Sequence, residues 1–224
     1  MHDFTYYAQI LISGLTIGSL YALIAIGYTM VYGILRLINF AHGDMFMVAG
    51  FIMSYITSWS SGFLGAGSIA VGLILTLILT VVLGVMIEKV AYKPLRSAPR
   101  MSVMISAIGV SYLLQNLSTY VTGGLAQAYP NIPWLRTEIQ IGGITVRRLA
   151  ILTPVLTILL VIALVIVIKH TKMGMAMRAV AKDFDTAQLM GIRIDRVISI
   201  TFVIGSFLAA VGSILYFSYI GQVS

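Results

Sequence analysis

The sequence predicts an all-α, polytopic membrane bundle, and three observations predict it. Hydrophobic residues make up 59% of the 224 and charged residues only 9%, with a mean hydropathy of +1.01; a soluble globule is roughly half apolar and about a quarter charged. The apolar residues gather into six runs, 9–33, 45–61, 66–87, 102–122, 150–168 and 197–220, each close to the roughly 20 residues a helix needs to cross hydrocarbon. The second is the weakest. The basic residues are shared unevenly between the two sides. If the runs cross in alternation, connectors 34–44, 88–101 and 169–196 lie together and carry one, four and six Lys or Arg, eleven of the 14. That side is read as cytoplasmic and the N-terminus as outward. A re-entrant second run would reverse the N-terminus alone.

Several classes are excluded at this stage. No cysteine is present, so disulfide frameworks and thiolate metal sites are out. The start of the chain lacks the basic residues and short apolar run of a cleavable signal. The net charge of +7 does not indicate nucleic acid, because the basic residues sit at span ends and not in a patch interleaved with aromatics. No G-x4-G-K-[ST] loop occurs, no nucleophile-base pair or metal set stands out, and the chain is read as neither an enzyme nor the holder of a cofactor. A self-contained secondary carrier usually needs an ionisable group inside the membrane. Asp3, Asp44, Glu88, Glu138, Asp183, Asp185 and Asp195 all read as lying at or outside span ends, so the energy for transport is expected from a partner.

Taken in order, the first span carries Gly14-x3-Gly18-x3-Ala22, a small-residue ridge suited to close helix packing. Its hydroxyls, Ser13, Thr16 and Ser19, can bond back to their own helix. The stretch Ile38 to Asp44 then sets Asn39, His42 and Asp44 between two apolar runs. Two readings stand: a helix interruption lining a pathway, or a short cytoplasmic turn with Asp44 capping the next helix. The third span reads as lipid-facing or packed helix without chemistry. It ends in Glu88-Lys89 and a segment with Pro94 and Pro99, read as a solvated inner rim. The fourth places Ser111, Gln115 and Thr119 at i, i+4 spacing with Asn116 beside them. Amides at membrane depth are costly unpaired, so they face the bundle interior, bonding a neighbour or lining the route.

The outward connector 123–149 is rich in turn formers, Gly123-Gly124, Pro130, Pro133 and Gly142-Gly143. Tyr129 and Trp134 fit an interfacial anchor. The fifth span shows no chemistry, and the sixth has a close-packing seam, Gly205-x3-Ala209-x3-Ser213. Between them, 169–196 reads as two helices. Met173 to Lys182 is rich in good helix formers. A shorter helix follows with Asp185 as its cap, Gln188 reaching back and Gly191 as its left-handed stop. Phe184, Ala187 and Met190 would share one apolar face. Such a short helix is unstable alone and needs something to form against.

Asp185-Thr186-Ala187-x3-Gly191 resembles the E-A-A-x3-G coupling loop of ABC importer permeases, with Asp for Glu, Thr for Ala and no Leu-Pro after the glycine. The run Gly14 to Asp44, GLTIGSLYALIAIGYTMVYGILRLINFAHGD, resembles the H-type permease subunit of bacterial branched-chain amino acid ABC importers. Further blocks agree: Ile87 to Ser97, Ile105 to Gly109, and Met190 to Gly205. The resemblance covers nearly the whole chain. It implies a multi-pass inner-membrane permease for leucine, isoleucine or valine; permeases for urea, short amides and other amino acids look similar. It implies four kinds of partner: a second related permease, two ATP-binding subunits, an external substrate-binding protein and the lipid bilayer. It assigns Phe184, Asp185, Ala187, Met190 and Gly191 to ATPase coupling and the 123–149 side to the binding protein. Because similar proteins continue beyond the sixth span, the C-terminus is expected to be truncated.

Overall fold

The computed structural model describes residues 2–65, 67–96, 98–141 and 144–223. Six long helices follow the six apolar runs: α1 (His2–Leu35), α2 (Ala41–Leu64), α3 (Gly67–Ile87), α4 (Arg100–Thr122), α6 (Arg148–His170) and α9 (Ile194–Ile220). Three shorter ones intervene: α5 (Pro133–Arg136), α7 (Lys172–Lys182) and α8 (Phe184–Leu189). Among the described residues five helices are long and apolar enough to cross a membrane, and α2 is the long helix left out. Its length is ample, since 24 residues at about 1.5 Å each span about 36 Å. What lowers its hydropathy is its place in the interior, packed against α3, α4 and α9, where His42, Asp44, Ser54, Thr57 and Ser60 face protein. Helices at the rim do the opposite: Leu11, Val90, Ile105 and Ile158 are exposed, a surface stable only against lipid.

α9 is the axis of the fold, packed against α1 on one side and α2 and α3 on the other. The seam read in the sequence is present, with Gly205, Ala209 and Ser213 all buried. A Cβ on Gly205 would stand 2.8 Å from Val31 Cγ2, which is why two backbones meet there. A second seam went unread: Gly72, Thr76, Thr80 and Gly84 recur every fourth residue and form the buried stripe of α3. Gly84 lies against Ser206 of α9 and Gly72 against Thr57 and Met53 of α2. The α1 ridge does not seat within this chain, because Cβ atoms on Gly14 and Gly18 would meet nothing within 4 Å. The buried face of α1 is the one carrying Thr16, Leu20 and Leu23; Thr16 Oγ1 lies 2.8 Å from Ile12 O and 3.0 Å from Ala150 O of α6.

Past Ile87 the helix does not stop at a solvated rim. It widens into a π-helical turn, Glu88–Tyr92, then tightens to a 3₁₀ turn, Lys93–Leu95, with Pro94 and Pro99 ending it. The 123–149 connector adds strands to an otherwise helical chain. Strands β2 (Glu138–Ile141) and β3 (Ile144–Arg147) form an antiparallel hairpin, whose turn Gly142-Gly143 lies outside the described residues. Strand β1 (Gln127–Ala128) pairs with β4 (Gln222–Val223) beyond α9, tying the outer end of the axis to the connector. Tyr129 is not an interfacial anchor: it is buried among Phe217 and Val223. Trp134 is exposed and lies beneath the Arg148 guanidinium, 5.8 Å from the ring centre, a cation–π contact.

Candidate functional site

Two groups of residues converge towards the end of the bundle that carries the 36–40, 88–99 and 169–196 connectors. The first begins where α1 ends. Arg36 takes a left-handed φ of 53°, and the chain turns through 36–40 into α2. The turn has no side-chain cap, so the expectation that Asp44 caps α2 is corrected. Its carboxylate points sideways into α4, where Ser111 Oγ donates to Oδ2 and Gln115 Nε2 to Oδ1 at 2.9 Å. Residues 67 apart in sequence thus form one polar cluster, halfway along the apolar part of α4 (Met101–Thr122). The connector is a turn in form, yet the residues that follow it are set deep in the bundle.

The neighbours are also buried. Asn39 Oδ1 accepts from the Tyr92 hydroxyl at 2.9 Å, while its Nδ2 has no partner among the described residues. His42, 1% exposed, has neither ring nitrogen bonded among the described residues; it lies under Gly27, whose missing Cβ leaves room for the ring, and edge-on to Tyr28 with centroids 6.1 Å apart. Both amides expected to face inward are exposed on this chain: Gln115 nonetheless bonds Asp44, whereas Asn116 donates to Tyr112 O of its own helix at 2.7 Å. Three contributors were missed. Tyr92 holds Asn39. Glu88, read as a solvated rim residue, is 0% exposed and bonded to Arg96 and, at 2.9 Å, to Ser199 Oγ. Asp195 joins the same set through Arg96 and Lys93, the latter at 3.1 Å. The signal available in the sequence was Glu88 with Arg96 eight residues on, but only the π-helical turn shows that the carboxylate rotates inward.

The second group is the 169–196 segment. Thr171 caps α7, accepting from Gly174 N at 3.0 Å, and α7 lays Gly174, Met177 and Val180 onto the core. The cap of α8 is Asp183, not Asp185. At φ −160° and ψ 119° Asp183 is extended, as an N-cap must be; its Oδ1 accepts from Asp185 N at 3.0 Å and its Oδ2 from Thr186 Oγ1 at 2.6 Å. The Thr186 hydroxyl first, then the Thr186 amide, hold this carboxyl below the usual carboxylate range. The stop is as expected. Gly191 has φ 80°, its N–H bonds Gln188 O at 3.0 Å and Ile192 N bonds Ala187 O at 3.1 Å, the paired bonds of a Schellman ending.

The single apolar face expected of α8 is split. Ala187 is 3% exposed and packs with Phe184 into the core of this chain, so it is not the side chain an outside partner touches. Leu189 and Met190 are 87% and 78% exposed. Arg36 binds the segment to the first group: Nε donates to Ala181 O at 3.0 Å and Nη2 to Lys182 O at 3.1 Å, the carbonyl end of α7. Between Arg36, Tyr92, Arg96, Asp183 and Asp195 opens a cavity of about 1190 Å³, reaching from α8 to the tyrosine that holds Asn39.

Comparison with known proteins gives one consistent picture. The family model for the permease component of branched-chain amino acid transport systems matches residues 10–224. The high-affinity branched-chain amino acid transport permease LivH of Salmonella typhimurium is 38% identical, across 99% of this chain and 74% of that protein. LivH of Escherichia coli K12 is 37% identical over the same shares. BraD of Pseudomonas aeruginosa is 38% identical across 96% of this chain and 72% of its own length. No solved structure matches.

Proposed function

The chain belongs to the branched-chain amino acid transport permease family, and on that premise we propose that it forms part of the inner-membrane pathway for leucine, isoleucine and valine. It works with a second related permease, two ATP-binding subunits and an external substrate-binding protein. The observation that carries this reading is similarity at 37–38% identity to branched-chain permeases along almost the whole chain, on a bundle whose rim is apolar and whose hydrophobic interior also buries polar side chains such as Asn39, His42 and Asp44.

In this reading α8 receives the motion of the ATPase. Its roles divide along the split face: Leu189, Met190 and the exposed Asp185 meet the partner, while Phe184 and Ala187 seat the helix on the permease and Gly191 turns the chain back into α9. A partner shifts a two-state equilibrium only by differential contact with the two states, so the gripped residues must be exposed and the seated ones rigid. The exposed Leu189 and Met190 and the buried Ala187 fit this division.

Uptake of labelled leucine and labelled urea by proteoliposomes carrying the whole complex, binding protein and internal ATP tests the reading. Leucine should accumulate and urea should not. Urea accumulation, or leucine entry without ATP, would remove it.

A further inference from the structure

Asp44 is a buried carboxylate without a cation. It exposes 9% of its surface, and among the described residues no Lys, Arg or His pairs with it. Other acids of the inner half are answered: Glu88 by Arg96, Asp195 by Lys93 and Arg96, while Asp183 caps α8. An ionised carboxylate accepts about four hydrogen bonds. Ser111 and Gln115 supply one to each oxygen, which leaves a further acceptor position on each. Isolated buried charge is expensive, and ionisable groups at membrane depth mark routes or relays. The cluster borders a face of α4, with Gln115, Asn116 and Thr119, that this chain leaves uncovered.

Resting on the transport reading above, we infer that Asp44, held by Ser111 and Gln115, is the passing counter-ion for the α-ammonium group of the amino acid. An ammonium carries three donors; the two oxygens of Asp44 and the carbonyl oxygen of Gln115 offer three acceptors of matching kind. A divalent metal ion fits less well, since it asks for six or so oxygen ligands and no group of three metal-binding side chains exists among the described residues. A neutral solute such as urea has no use for the charge.

The test uses the permease–ATPase complex in nanodiscs, without binding protein, and tritiated leucine as probe. Leucine should bind saturably, be displaced by 3-methylbutylammonium, which keeps the ammonium and lacks the carboxylate, and not by 4-methylpentanoate, which has the reverse. Asp44→Asn keeps the shape and one accepting oxygen for Gln115, while the Ser111 hydroxyl can turn to accept from the new amide; it should weaken binding about tenfold or more, about 1.4 kcal/mol, with assembly retained, and Asp44→Glu should restore most of the affinity. No saturable binding, displacement by the carboxylate alone, or unchanged affinity in Asp44→Asn overturns the assignment. Where Asp44→Asn does not assemble, the two competitors on the native complex decide alone. Leucine uptake equal in native and Asp44→Asn proteoliposomes would remove the counter-ion and leave the transport reading standing; no leucine uptake by the native complex would remove that reading itself.

Discussion

Glu88 is fully buried, and its charge is held by the Arg96 guanidinium and the Ser199 hydroxyl. Removing one partner of such a pair strands a charge in a dry site, which costs about 3–5 kcal/mol. Arg96→Ala is therefore expected to lower the melting temperature of the purified complex sharply, and adding Glu88→Gln should restore much of it by removing the stranded charge. A double variant no more stable than Arg96→Ala alone would show that the pair does not carry this charge. At this scale the sequence identified the residue types and misjudged some surroundings. Asp44, Ser111 and Gln115 were readable as candidates because polar side chains are rare in spans. Their meeting was not, since it depends on how α2 lies across α4.

Asp183 shows the same limit one level up, in the element it starts. A short helix with a glycine stop was legible between Asp183 and Gly191; which aspartate capped it was not, because two acids two residues apart offer the same chemistry. Replacing Asp183 by Ala should free the amides of Asp185 and Thr186, read as faster hydrogen exchange confined to α8, whereas Asp185→Ala should leave them protected. The same cap sets a pH limit. A carboxyl whose folded-state pKa is depressed stabilises fully above its unfolded value, about 3.9, and the contribution fades as pH falls through the folded value. Protection of α8, corrected for intrinsic exchange, should hold from pH 7 to 5 and fall only below about pH 4. Loss of protection already near pH 6 would point to a group other than Asp183.

For the whole molecule, the six apolar runs gave six long helices, because the length needed to cross hydrocarbon is a property of the chain itself. The weak second run is an interior helix, and the seam on α3 hid in plain view as threonines and glycines among Leu, Val and Ile. The short strands of the outer connector had no periodic signal, since two- and four-residue strands are too brief to show alternation. The distribution of basic residues predicts that the 169–196 side is cytoplasmic. Single cysteines replacing Leu189 and Leu125, both exposed, should differ in intact cells: an impermeant maleimide should label the second and spare the first. Labelling of position 189 from outside would invert the arrangement.

The central position of α9 has a consequence for how the protein is made. α1, α6 and α7 pack together, as do α2, α3 and α4, and α9 packs extensively against both groups. A ribosome delivers it after all of them, so until residue 194 emerges the two half-assemblies share little surface, and the Gly84 and Val31 positions that will receive Ser206 and Gly205 face lipid or the insertion machinery. Closure of the core is thus a late, long-range event of the slow kind. Nascent chains arrested before Ile194 should stay sensitive to protease and to membrane quality control, whereas those arrested with α9 clear of the translocon should become resistant in one step.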